Sequence, residues 1–127
     1  MYIYTTLDPT LAFALVMTLP FLLVVQASPL FPRRNVGEAT VYAVGGAPGS
    51  CGQNHTDAEM VVAMHVPQCG KQISATYQGK TIQVTVVDTC PGCAEMDLDL
   101  SPTAFGHWGD PGPLGPGRLY GVEWDYV

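Results

Sequence analysis

Carboxylates and cysteines crowd into one stretch of this chain, Asp88-Thr-Cys90-Pro-Gly-Cys93-Ala-Glu95-Met-Asp97-Leu-Asp99. Two carboxylates brought close together cannot both ionise freely, so one would stay protonated near neutral pH and could serve as an acid or as a strong hydrogen-bond donor to a ligand oxygen. Asp99 and Asp88 are the candidates for such a pair. Each also has a plainer reading: Asp88 could cap backbone N–H groups of the Cys90-Pro-Gly turn, and Asp99 could be a helix-start carboxylate interacting with nearby amides. Glu95 and Asp97 are expected to be solvated. Cys90 and Cys93 could be a disulfide, a redox pair or half of a zinc site. No βαβ pattern surrounds them as a thioredoxin-like motif requires, and no second cysteine pair at ligand spacing accompanies them. His55, His65 and His107 share no metal-ligand spacing, so no metal and no cofactor are expected.

These residues need elements to hold them. Thr81-Ile-Gln-Val-Thr-Val86 alternates apolar and polar residues as a half-buried strand does, and runs into Asp88, which should sit at a strand end. Ser101-Pro102 offers an N-cap hydroxyl followed by a proline that suits a first helical turn, so a short helix should begin there. Upstream, Gly37 to Val44 reads as a first strand ending at Gly45-Gly46, and the apolar run within Glu59 to Val66 as a short buried strand. Gln72 to Tyr77, with Ile73, Ala75 and Tyr77 on one face, should pair with the strand leading to Asp88 through Gln78-Gly79-Lys80 as a hairpin. Gly109 to Gly117 is a stiff proline-rich loop, and Arg118 to Trp124 a last strand with Tyr120, Val122 and Trp124 on one side. Short strands at close spacing with a short helix indicate an all-β fold, a small closed barrel.

The 127 residues leave room for one domain, and 14 Gly and 11 Pro favour turns over long helices. Leu11 to Val25 is an apolar run too short to span a membrane, and Val25-Gln-Ala27 suits signal peptidase; residues 1–27 are therefore read as a secretory signal peptide, despite an n-region with Asp8 and no basic residue, and an uncleaved anchor is the alternative. Residues 28–36 read as a flexible tether, with Arg33-Arg34 either a processing site or two solvated charges, and residues 37–127 as the folded domain. All four cysteines lie in that domain, so a secreted, extracellular protein should oxidise them to two disulfides, with three pairings of Cys51, Cys69, Cys90 and Cys93 open. Asn54-His-Thr56 is a glycosylation sequon if the loop is exposed in a eukaryotic host. The net charge is −6, and an acidic protein is repelled by phosphate backbones, which argues against nucleic acid. Neutral polymers, partly deacetylated chitin and protein partners remain; after signal cleavage no membrane contact is expected, and the protein should be a monomer.

Gly37-x-Ala39-Thr40-x-Tyr42, Cys51-Gly52, Val61-Val-Ala63, Cys69-Gly-Lys71, Val86-Val-Asp88-x-Cys90-Pro-Gly-Cys93 and Asp99-Leu-Ser-Pro-x-Ala-Phe105 recur in this order in the secreted double-psi β-barrels. Over Val36 to Val127 the chain resembles their expansin-like loosenins, barwin-like and kiwellin-related proteins and RlpA-type barrels. The resemblance implies a six-stranded double-psi β-barrel with one or two short helices. It also implies a polysaccharide groove along which Thr40, Tyr42, Asp88 and Asp99 lie. Asp99 matches the general acid of the related family-45 endoglucanases. Inverting hydrolysis needs a second carboxylate roughly 6.5–9.5 Å away to activate water. In those hydrolases it lies just after the first-strand motif, where Tyr42-Ala-Val-Gly-Gly46 holds no acid. Trp108 is the tryptophan expected to touch ligand, Tyr42 either stacks on sugar or sits in the core with its hydroxyl at the rim, and Tyr120 and Trp124 are expected in the core. The chain departs from the pattern in its short Met64 to Gln68 loop and its proline-rich Gly109 to Gly117 loop. No second domain is expected, so affinity for polymer should be weak.

Three functions follow from these features. The first is a secreted protein that binds and loosens cell-wall polysaccharide, whether cellulose, chitin or another glycan, without net hydrolysis. The second is a protease inhibitor or effector acting on a host protein through Gly45–Ser50 and Gly109–Gly117. The third is a glycan-cleaving enzyme of endoglucanase or lytic transglycosylase type that relies on Asp99 as its single acid.

Overall fold

The computed structural model describes residues 34–127, together with Pro20 alone before them. The expected signal peptide and the tether up to Arg33 lie outside the described residues. No helix among the described residues is long and apolar enough to cross a membrane.

Six strands close a barrel in the order β1-β5-β2-β4-β3-β6: β1 (Asn35–Val41), β2 (Val61–Met64), β3 (Gln72–Tyr77), β4 (Lys80–Thr89), β5 (Leu98–Leu100) and β6 (Arg118–Tyr126). One short helix, α1 (Pro102–Phe105), lies between β5 and β6. β1 with β5 and β2 with β4 are parallel, while the other four neighbouring pairs are antiparallel. Parallel neighbours need long connections, which is why the barrel interleaves strands far apart in sequence. The fold is the all-β, six-stranded barrel anticipated from the sequence, with one helix.

Period-2 patterning explains the interior. Ile73, Ala75, Val84, Val86, Leu98, Leu100 and Val122 are each at most 1% exposed and meet in one cluster with Phe105 and Trp124. The β3–β4 hairpin turns at Gln78-Gly79, both with positive φ (46° and 79°), as a two-residue turn matching the strand twist requires. Ser101 is buried; its hydroxyl donates to Glu59 O (2.6 Å) and accepts from Ala104 N–H (3.2 Å), so one side chain starts α1 and ties it to the entry of β2. Cys51–Cys69 and Cys90–Cys93 are the disulfides. By loop-closure entropy the first, spanning 18 residues, stabilises by about 3 kcal/mol, and the second, spanning 3, by about 2 kcal/mol.

Four local expectations change. β1 begins at Asn35 and stops at Val41, which leaves Tyr42 to Val44 in the following loop. The apolar run after Glu59 narrows to Val61–Met64. Leu98-Asp-Leu100 is a strand that was not anticipated. In β6 the alternation slips at Gly121: β1 steps from Gly37 to Ala39 while β6 steps from Val122 to Leu119, so β6 carries the extra residue of a bulge. Gly121 adopts φ 74°, Leu119 turns inward at 6% exposure, and Tyr120, expected in the core, is 67% exposed.

Candidate functional site

Because β2 lies between β4 and β5, Ala63 pairs with Asp88 on one side and with Asp99 on the other, and Asp99 pairs with Thr40 of β1. Asp88, Ala63, Asp99 and Thr40 thus form a row across four neighbouring strands. In-register partners share a face, and Leu98 and Leu100 on either side of Asp99 are fully buried, so Asp99 points away from the core. Two strand spacings separate the Cα atoms of Asp88 and Asp99, about 10 Å. They are neighbours on one face and do not meet across the barrel.

The Thr40 hydroxyl donates to Asp99 Oδ1 at 2.7 Å. Asp99 is half-buried, and burial raises its carboxyl above the ordinary range, with the Thr40 hydrogen bond and the Arg118 charge opposing. Arg118 itself pairs with Glu38 on the adjoining strand. The pair of sulfurs lies beside this acid: Cys90 Sγ, Cys93 Sγ and a carboxylate oxygen of Asp99 all fall within 4.8 Å of one another. Joined as a disulfide, the sulfurs offer no thiolate to a metal.

Tyr42 follows β1, anchored by its N–H donating to Leu100 O at 3.0 Å. Its hydroxyl is buried with no hydrogen-bond partner among the described residues, so the rim position expected for a core tyrosine is not where the hydroxyl sits. Burial first, then the charges of Asp88, Asp99 and Asp57, pushes the phenol up to about 12. Tyr42 therefore stays a neutral donor within the field of three carboxylates.

Two of those carboxylates already hold backbone. Asp88 Oδ1 accepts from Ser50 N–H and Thr89 N–H, both at 2.8 Å, so it caps the loop carrying Cys51 and not the Cys90-Pro-Gly turn. A Cβ on Gly49 would come within 2.7 Å of Val87 O, which shows how closely that loop lies on β4. Asp57 Oδ1 accepts from Val44 N–H at 2.7 Å. The segment Tyr42 to Gly46 holds no acid of its own, yet a distant loop brings one to it. Nothing in the sequence around Asp57 signals this, since the contact spans a loop without periodicity. Asp97, expected to be solvated, is half-buried and accepts from Glu38 N–H (3.0 Å) and Ala94 N–H (3.2 Å), locking β1 to the turn before β5. Glu95 is exposed, as is Asn54.

Trp108 is not brought to this row. Its indole N–H donates to Lys80 O at 3.0 Å and its ring lies 5.9 Å from that of Tyr77, at the β3–β4 turn. Lys80 and Asp88 are separated by eight residues of β4, roughly 26 Å of strand. Depressions of about 250–370 Å³ among the described residues are lined by other side chains, one of them by Cys51, Gln53, His55 and Cys69. In the carboxylate row itself Thr40, Asp88 and Asp99 are partly exposed, while Ala63 between the two acids is buried.

The family model for double-psi β-barrels, described as lytic transglycolase, matches residues 34–118. The chain belongs to this double-psi β-barrel family. Among members of known sequence, allergen Asp f 7 of Aspergillus fumigatus is 41% identical over 98 residues, 70% of this chain. That match spans only 35% of the allergen's own length. Among solved double-psi β-barrels, the Streptomyces papain inhibitor superposes with a TM-score of 0.63 at 29% identity, covering 76% of this chain and 96% of the inhibitor. An expansin of Clavibacter michiganensis, a d78n mutant in complex with cellohexaose, superposes with a TM-score of 0.62 at 28% identity, covering 75% of this chain and 50% of the expansin.

Proposed function

We propose that the face formed by Thr40, Asp99, Ala63 and Asp88, with Tyr42 beside it, binds and loosens cell-wall polysaccharide outside the cell without net hydrolysis. The observation that carries this reading is the state of the carboxylates. Asp99, its carboxyl raised above the ordinary range by burial and held in place by the Thr40 hydroxyl, is positioned to hydrogen-bond a sugar hydroxyl, whereas Asp88 and Asp57 each hold backbone N–H groups through Oδ1. A water-activating base must hold a water against the reacting carbon, and both neighbours are instead anchored to backbone through Oδ1. The expansin neighbour in complex with cellohexaose supports a glucan as ligand class, and the two disulfides support an oxidising, extracellular setting.

A polysaccharide pull-down panel run beside a soluble-sugar release assay tests this. The protein should deplete from solution onto cellulose or chitin and release no sugar, and Asp99→Asn should weaken binding and wall loosening while its circular dichroism spectrum is unchanged. Full loosening by the Asn variant would sink the assignment. Release of reducing ends or anhydro-sugars would replace it with the enzyme reading, and Asp57→Asn would then show whether the loop acid is the base.

A second reading is favoured by coverage. The barrel accounts for 96% of the papain inhibitor but only half of the expansin. Inhibition of a papain-type cysteine protease is therefore the alternative function, read out by residual papain activity at rising inhibitor concentration.

A further inference from the structure

The Cys90–Cys93 disulfide is the weaker of the two staples. It closes a separation of only 3 residues, whereas Cys51–Cys69 spans 18 and joins two loops. Short closure removes less entropy from the unfolded chain, so opening this bond costs the fold less than opening the longer one. The turn is already held without it: Cys90 N–H donates to Met64 O at 2.8 Å and Cys93 N–H to Cys90 O at 3.1 Å. Pro91 and Gly92 are exposed, and both cysteines are only partly buried, so the turn that carries the sulfurs lies at the surface. Beside the sulfurs, within 4.8 Å, stands the Asp99 carboxyl.

Thiol–disulfide exchange needs access to a sulfur and a way to receive the charge on the departing one. We infer that Cys90–Cys93 is a thiol-exchange site whose substrate is a low-pKa cysteine thiolate on a partner protein, with Asp99 as the proton carrier. The attacking thiolate forms a bond to one sulfur of the pair while the Cys90–Cys93 bond breaks; the displaced sulfur leaves as a thiolate and takes a proton from the Asp99 carboxylic acid, which is left as carboxylate and reprotonated from solvent. The two electrons of the broken bond leave with the displaced sulfur, so no outside oxidant or reductant is consumed. Burial raises the Asp99 carboxyl above its ordinary value, the direction this role requires. A protonated thiol is a poor nucleophile, so the same transfer slows the back-attack that would reclose the pair. The choice of a papain-type active-site thiolate as partner rests on the inhibitor reading, while the reactive bond does not.

Two measurements on the protein test this. In the first, graded glutathione followed by alkylation and peptide mass mapping should show Cys90 and Cys93 labelled before Cys51 and Cys69. Asp99→Asn should slow that labelling by roughly tenfold or more. Opening of Cys51–Cys69 first, or an unchanged rate in the Asn variant, overturns the assignment. In the second, incubation with active papain and non-reducing mass spectrometry should reveal a mixed disulfide through Cys90 or Cys93, absent from papain with its thiol blocked beforehand. No adduct overturns capture of the protease thiolate. If papain is then still inhibited, equally by wild type and by Cys90→Ala/Cys93→Ala, the inhibitor reading stands without this chemistry. If papain is not inhibited by either protein, that reading falls as well.

Discussion

Asp99 is the residue on which most of the chemistry turns, and its protonation leaves a signature in stability. Burial holds its carboxyl above the ordinary value of 3.8. A carboxyl raised in the folded state binds its proton more tightly folded than unfolded. Its stabilising contribution is therefore complete below the unfolded value and is lost as pH rises through the folded one. Asp99→Asn removes this titration and keeps an oxygen able to accept from Thr40. The variant should be more stable than wild type at neutral pH, and the gap should close as pH falls below the ordinary carboxylate range. Urea midpoints measured between acid and neutral pH check this; a gap independent of pH would mean that desolvation of Asp99 does not govern it. The residue could be singled out in sequence because the Asp99-Leu-Ser-Pro motif carries it. The jobs of its neighbours could not. Asp57, Asp88 and Asp97 are each used by backbone N–H groups of segments remote in sequence, and no local pattern records which amide a carboxylate will meet.

At the scale of elements, glycines set the strand register around the site, and they do so for two different physical reasons. Gly37 sits where a Cβ would come within 1.8 Å of Met96 O, so the turn before β5 can lie on β1 only without a side chain there. Gly121 has open space around its missing Cβ, but its φ of 74° is one that residues with a side chain resist. Gly37→Ala should therefore cost about 3 kcal/mol or more, the upper range of overpacking, and should disturb the pairing of β1 with β5 that brings Thr40 to Asp99. Gly121→Ala should cost only about 1–2 kcal/mol by backbone strain and leave that pairing intact. Chemical denaturation gives the two costs, and the Thr40 and Asp99 amide shifts show whether the site has moved. Gly121 also explains what the sequence hid. Strict alternation from Arg118 put Tyr120 on the buried face, and a bulge adds one residue and inverts the phase, which alternation alone cannot reveal. β5 escaped notice for a different reason: Leu98-Asp-Leu100 is three residues long, too short for a period to register, and it becomes a strand because β1 and β2 flank it. The long regular segments, β3 and β4 with their Gln78-Gly79 turn and the Ser101 cap, were legible because each carries its own local signal.

The six strands of the described residues close into a barrel, which leaves no edge strand among them, and the loops between strands carry the cross-links. If loop entropy governs, Cys51→Ala/Cys69→Ala should cost about 3 kcal/mol and Cys90→Ala/Cys93→Ala about 2 kcal/mol, a ranking that urea denaturation can read directly. An inverted ranking would assign the short disulfide a structural role and weaken the case for its reactivity. Charge acts at the same scale. With 11 acidic against 5 basic side chains, the protein carries a field that attracts cationic polymers and neither attracts nor repels neutral ones. Ions shorten that field from about 30 Å at 0.01 M salt to about 8 Å at 0.15 M. Hydrogen bonds and stacking on a glucan do not depend on it. If Thr40, Asp99 and Tyr42 hold a neutral polysaccharide, depletion onto cellulose should change little between those salt concentrations. Depletion onto partly deacetylated chitin should fall steeply. Binding to cellulose that disappears with salt would mean that long-range charge, and not the carboxylate row, holds the polymer.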